Sequence, residues 1–177
     1  MLPNRRSRTA AMMVMGVALT LAPIVQAAIS PGSAEAHTWY SSVRVACADS
    51  TVRMRCYHNQ TRRLAHLPTL ARSAALNRSA RSKAARIVRC RQHSHYPCGD
   101  WFLRSFYAAG YLPAPGTWLV GENLAWGWSG PWQAFAALMR SPEHRANILN
   151  PQFAGIGIYR RASPWGWLWV IQFGRRW

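Results

Sequence analysis

The 177 residues, half of them hydrophobic, suffice to bury one core and are too few for two, so a single folded domain is expected. Twenty-two basic side chains against five carboxylates give a formal charge of +17, which favours polyanionic partners: acidic wall polymers, anionic lipid headgroups or, non-specifically, nucleic acid. All but one of the basic residues are arginines, scattered through several elements and forming no single stripe, and Lys83 is the one lysine.

Arg5, Arg6 and Arg8 precede an almost uncharged run from Thr9 to Ile24, followed by the small-x-small sites Val25-Gln26-Ala27 and Ala34-Glu35-Ala36. That order reads as a secretory signal over residues 1–36, cleaved after Ala27 or Ala36, with an apolar run short for a membrane span. No later segment is apolar for long enough to cross a bilayer, so the mature chain is expected to lack a transmembrane segment and to be secreted. Removing three arginines and Glu35 with the signal leaves +15. Export makes Cys47, Cys56, Cys90 and Cys98 candidates for pairing. Three pairings exist in principle, of which Cys47 with Cys56 and Cys90 with Cys98 close short local loops. A four-cysteine zinc site is disfavoured because no two cysteines are separated by only two to four residues.

Residues 37–55 comprise an arm without clear period, expected to be extended and tied down by Cys47, and the start of the first helix. Asp49 or Ser50 caps that helix, which runs to about Ala65 with Val52, Cys56 and Gln60 or Leu64 on one face. His66-Leu67-Pro68 breaks it. A second helix is expected from about Leu70 to Arg89, with Leu76, Ala80, Ala84 and Ile87 inward and Arg72, Arg78, Arg81 and Arg86 as a solvated face. Gln92 to Gly99 is a loop; Asp100 then caps a short helix, Trp101 to Ala109, ended by Gly110. Pro131 opens a helix with Trp132, Phe135, Ala136 and Met139 on its apolar stripe; Ser141-Pro142 restarts the pattern and Asn150-Pro151 ends it. The period then changes. Ile156 to Arg160 alternates and Gly166 to Phe173 is nearly continuously apolar, which reads as two neighbouring strands joined through Ser163-Pro164. Helices first and strands last point to an α+β sandwich.

Two stretches carry most of the chemistry. In Gly121-Glu122-Asn123-Leu124-Ala125-Trp126-Gly127 a carboxylate sits beside apolar residues in a chain with few acids, so it is expected to be part-buried and to need a cation, a histidine or a metal-bound partner. An ion pair with an arginine is the purely structural alternative. His144 lies three residues into a helix with Ser141 as N-cap and Pro142 at the first position, where the helix dipole keeps an imidazole neutral, able to bind metal or accept a proton. A core histidine is the alternative there. Glu143 reads as a first-turn charge, and Asn147 and Asn150 as capping and turn residues. His93 and His95, two apart in an extended loop, point the same way, a spacing that a metal site can use, whereas His58 and His66 have no such context.

Asn59-Gln60-Thr61-Arg62, Leu67-Pro68-Thr69-Leu70, Ser94-His95, Gly110-Tyr111, the Gly121 stretch, Ser141-Pro142 with His144-Arg145-Ala146-Asn147-Ile148-Leu149, Ile156-Gly157-Ile158 and Gln172-Phe173-Gly174 resemble, in that order, the bacterial branch of the CAP superfamily. Its SCP domain is shared with cysteine-rich secretory proteins and plant pathogenesis-related proteins. The resemblance implies a three-layer α-β-α sandwich over residues 56–174 and a central cleft containing His95, Glu122 and His144. Two family features are changed: the second cleft acid would fall near Arg140 or Ser141 and is missing, and Glu143 stands where glycine is usual. Cys90 and Cys98 look additional. The leading expectation is a secreted protein whose cleft binds an anionic or amphipathic lipid, envelope or wall component. The alternatives are a hydrolase with Zn²⁺ on His95 and His144 and Glu122 as base, and a cationic antimicrobial or nucleic-acid-binding protein.

Overall fold

A computed structural model describes residues 12–13, 34–47, 52–114 and 116–177. In chain order the elements are β1 Met12–Met13, α1 Ala34–Ala46, α2 Arg53–Leu64, β2 Ala71–Arg72, α3 Ala74–Cys90, a 3₁₀ turn Pro97–Gly99, α4 Arg104–Ala108, β3 Trp118–Trp126, α5 Pro131–Arg140, α6 Pro142–Leu149, β4 Gly155–Ser163 and β5 Gly166–Arg176. The sheet order is β1-β3-β5-β4-β2: β5 pairs antiparallel with both β3 and β4, while β1 and β2 add short parallel edges. Most of the expected signal, the Ala27 cleavage site and the expected caps Asp49 and Ser50 lie outside the described residues, and the Ala36 site falls in the first turn of α1.

Strand alternation sends successive side chains to opposite faces and so builds the layers. Val120 and Leu124 of β3, with Leu168 and Val170 of β5, meet the Leu76, Ala80, Ala84 and Ile87 stripe of α3. Leu119 and Ala125, with Ile171 and Phe173, meet Phe135, Met139 and Ile148 of α5 and α6 and Tyr57 of α2. The result is a three-layer α-β-α sandwich with a core on each side of the sheet. At Gly157 an added Cβ would collide with the Leu76 backbone, so this glycine is what lets α3 lie directly against β4.

The arm expected to be extended is helical. Val43 and Cys47 are fully buried, and Tyr40 meets the Trp132 ring edge-on at 5.8 Å; these three positions share one helical face. The inward face of α2 is Met54, Tyr57, His58, Thr61 and Arg62, whereas the expected Val52 and Leu64 are exposed. The stripe was disguised by polar members. Arg62 is fully buried, giving its Nε to Pro68 O at 2.7 Å, Nη1 to Ile148 O at 2.9 Å and Asn150 O at 2.8 Å, and Nη2 to Phe153 O at 3.3 Å.

Helix α3 starts later than expected because Ser73 Oγ accepts from Leu76 N at 3.2 Å, and Ala71–Arg72 is claimed by β4 as a strand. Asp100 does not cap a helix; it accepts from Arg86 Nε at 2.6 Å and Nη2 at 2.5 Å, so Arg86 is tied down rather than solvated. Both short-loop disulfides, Cys47–Cys56 and Cys90–Cys98, are formed.

Candidate functional site

The Gly121 stretch is the middle of β3, and its side chains divide between the two faces. Gly121 is obligatory for packing, since a Cβ there would lie 2.7 Å from Phe153 Cζ and 3.3 Å from Asn147 Oδ1. Glu122 points to the α3 side with a fully buried carboxylate. Its Oε2 accepts from Nε2 of Gln172, its cross-strand neighbour on β5, at 2.7 Å; that amide also reaches Ser105 Oγ at 3.1 Å. Its Oε1 lies 2.8 Å from His95 Nδ1 and 3.7 Å from Lys83 Nζ. The charge partner is thus the one lysine, not an arginine.

Lys83 is buried on the α3 stripe beside Ala80, Ala84 and Ile87. Its ammonium donates to His95 O at 2.6 Å, contacts Phe102 O at 3.5 Å and sits 5.4 Å from the Phe102 ring centroid. It therefore braces the histidine loop as well as the carboxylate. Burial pulls its pKa below the usual lysine value, against the opposing pull of Glu122 and Asp100. The loop is held at one end by the Cys90–Cys98 bridge and at the other by the Arg86–Asp100 pair.

The His95 side chain keeps 37% of its surface exposed. Because a carboxylate oxygen accepts, the ring nitrogen that donates to Glu122 is Nδ1, and Nε2 is left for other partners. His93 lies against the Trp126 ring, centroids 3.5 Å apart; burial first, and then the neighbouring His95, lower its pKa to about 4. Its Nε2 is buried with no partner among the described residues.

On the other face of β3, Asn123 Nδ2 donates to His144 O at 2.9 Å, while its Oδ1 accepts from Asn147 Nδ2 at 2.9 Å. Asn147 is therefore a strut between α6 and β3 and not a cap. Ser141 occupies the N-cap position without a side-chain cap bond, and Asn150 makes the expected turn, its Oδ1 accepting from Gln152 N at 2.8 Å. His144 is half-buried; burial and then His95 lower its pKa, with Glu143 opposing. His95, Glu122 and His144 thus belong to one electrostatic neighbourhood, joined by His93. His58 lies apart, buried in the core against Phe135 and Phe173.

As a metal site the donor set is thin. His95 and His144 offer imidazoles, Glu122 is already bonded and shielded, and among the described residues no three His, Cys, Asp or Glu side chains are grouped to hold an ion. Lys83, Gln172 and Asn123 were not expected at the site. The only signal was spacing: Lys83 falls three residues after Ala80 on the apolar stripe of α3.

Residues 56–173 match the model of the cysteine-rich secretory protein family, CAP. A 54-residue segment is 44% identical to uncharacterized protein YkwD of Bacillus subtilis, covering 30% of this chain and 20% of that protein. Among solved structures, an outer surface protein of Borrelia burgdorferi aligns with a TM-score of 0.61 at 21% identity, over 70% of this chain and 90% of that one. An extracellular SCP-domain protein of Bacillus anthracis aligns with 0.59 at 24% identity, over 70% and 39%. Likeness at these identities carries the fold alone, and the chain matches only part of the two bacillar proteins.

Proposed function

Because the chain belongs to the cysteine-rich secretory protein family, we propose that it is a secreted binding protein whose SCP domain, residues 56–174, takes an anionic or amphipathic envelope component at the cleft of His95, Glu122 and His144. The structural neighbours are extracellular or outer-surface proteins, and two disulfides suit an oxidising compartment. Among the described residues no helix is long and apolar enough to cross a membrane.

One observation carries binding over hydrolysis. The Glu122 carboxylate is fully buried and bonded to Lys83, His95 and Gln172, so it orients His95 and presents no oxygen of its own to a reacting water. His95, part open and oriented by that carboxylate, has its second ring nitrogen left for a hydrogen bond to a ligand. Retention on vesicles of acidic lipid or on isolated envelope material should fall steeply with salt, and at low salt should drop in His95→Ala and His144→Ala. Retention unchanged in both variants would refute the cleft as the binding site. If DNA and a heparin-like polymer bind equally at matched salt, only charge is being read, which favours the cationic-binder alternative.

The fixed Nδ1–H of His95 also favours a second reading, a weak Zn²⁺ site. His95 and His144 would hold the ion with Glu122 outside its coordination sphere, and a bound ion would supply an acidified water. Zinc titration by calorimetry should show weak binding lost in both histidine variants and collapsing below about pH 6.5, the ordinary histidine value. Wild-type affinity in both variants removes this reading and leaves the first intact.

A further inference from the structure

A hollow of about 620 Å³ opens where α2 and α5 begin, and none of His95, Glu122 or His144 lines it. Most of its lining belongs to the α2 and α5 side of the sheet, with Arg72 of the edge strand β2 and Asn77 of α3 completing it, whereas Glu122 lies further along α3 beside Lys83. The volume is in the range of small-molecule sites. Its lining includes four arginines from three elements: Arg53 and Arg55 in the first turn of α2, Arg72 on β2 and Arg160 on β4. Its floor is apolar, formed by Met54, Ile156, Ile158 and Trp169.

Charge is concentrated there without internal neutralisation. Among the described residues no carboxylate forms an ion pair with any of the four arginines; Asp100 is engaged by Arg86 and Arg104, and Glu122 by Lys83 and His95. Arg160 is pre-positioned, giving Nη1 to Ser129 O at 3.2 Å and lying 4.1 Å from the Trp167 ring centroid and 5.3 Å from that of Trp169. Two helix N-termini add to the positive field. Neither α2 nor α5 has a side-chain cap or an acid in its first turn, so among the described residues no local carboxylate offsets their first-turn N–H groups.

A guanidinium fork matches either a carboxylate or a phosphate. A carboxylate presents two oxygens in one plane, however, and arginines converging from three elements suit the spread oxygens of a phosphoryl group better. The apolar floor gives a place for the carbon skeleton that a bare inorganic ion lacks. We infer that the hollow is a phosphate-ester site, with the phosphoryl group held by Arg53, Arg55, Arg72 and Arg160 and the carbon portion resting on Ile156, Ile158 and Trp169. The ester is either a soluble metabolite or the headgroup of an acidic phospholipid.

The test is calorimetric titration of the disulfide-bonded chain with glycerol 3-phosphate, and with inorganic phosphate as comparison. Glycerol 3-phosphate should bind saturably and more tightly than inorganic phosphate. The Arg53→Ala/Arg72→Ala variant, changed at two exposed positions, should bind about tenfold or more weakly. Arg63→Ala/Arg89→Ala removes the same charge from exposed positions elsewhere and should bind as wild type, as should His95→Ala, which separates this site from the cleft. Absence of saturable binding, or an equal loss in the Arg63→Ala/Arg89→Ala control, overturns the proposal. Sedimentation with phosphatidylglycerol vesicles then separates the sources: binding that glycerol 3-phosphate competes away identifies a lipid headgroup, and binding indifferent to it identifies a soluble ester.

Discussion

The two faces of the sheet each bury a charge, and they solve the problem differently. Arg62, on the α2 side, is surrounded by main-chain carbonyls of Pro68, Ile148, Asn150 and Phe153, and no carboxylate pairs with it among the described residues. Burial lowers its pKa only to about 10, so it stays charged at neutral pH. Glu122, on the α3 side, is held by three side chains, two of which titrate, and one of those, His95, reaches solvent. A charge fixed by carbonyls can only tie segments together: here it joins α2 to the loop that follows it and to the C-terminal end of α6 and the turn beyond. A charge fixed by titratable side chains can pass a change of protonation to the surface. The comparison thus assigns Arg62 to architecture and Glu122 to the support of the solvent-reaching His95.

The largest expected effect is that of Arg62→Met. It strands four carbonyl partners and should lower stability by about 3–5 kcal/mol, read from the denaturant midpoint. The folded fraction should still bind acidic vesicles. A loss of retention beyond the loss of fold would break the division between the faces.

Acid should act next, again through the α2 face. His58 is fully buried, its Nδ1 2.7 Å from Met54 O, and burial above all lowers its pKa from 6.5 to about 4. The unfolded chain therefore takes up the proton first. Stability present above pH 6.5 should be lost as pH falls towards 4, by about 3 kcal/mol. His93 has the same sign but is half-exposed and contributes less. Unfolding curves across that range should flatten in His58→Leu, and an unchanged slope would remove His58 as the cause.

Glu122→Gln should cost less, about 1–3 kcal/mol, because Lys83 keeps two carbonyl neighbours. Its sharper reading is spectroscopic. Nitrogen NMR of the His95 ring should show Nδ1 protonated in wild type and the tautomers mixed in the variant. The double change Glu122→Gln/Lys83→Met should be less destabilised than the sum of its parts, since the two charges are coupled. Additive costs with an unmoved ring signal would make Glu122 as architectural as Arg62.

Both buried basic residues, Arg62 and Lys83, escaped the pattern of hydrophobic residues for the same reason. Lys83 occupies the stripe of Leu76, Ala80, Ala84 and Ile87, and Arg62 the stripe of Met54, Tyr57 and His58, but a basic residue at an apolar spacing reads as solvated until its partners are known. Several of those partners lie far away in sequence, Glu122 on β3 for Lys83 and the carbonyls of Ile148, Asn150 and Phe153 for Arg62. The helices of α3 and α5, the β4–β5 pair and both disulfides were legible because periodicity and short loops are local. That β3 is a strand was not, since its glycine, acid and amide answer to tertiary contacts with Phe153, Lys83 and His144. That Glu122 would be buried against a cation or a histidine was readable, whereas the lysine beside it and the division of labour between neighbouring positions were not.

That division gives the site a dependence on strand register. Glu122 stands opposite Gln172, whose flanking positions are Ile171 and Phe173. A slip of one residue would set the carboxylate against an apolar side chain, turn it away from Lys83, and present Asn123 to α3 in its place. Both imidazole supports would fail together, with an unpaired acid buried. The Glu122 contacts therefore also proofread the pairing of the central strands: a misaligned sheet is penalised by the same groups that, correctly aligned, hold His95 in place.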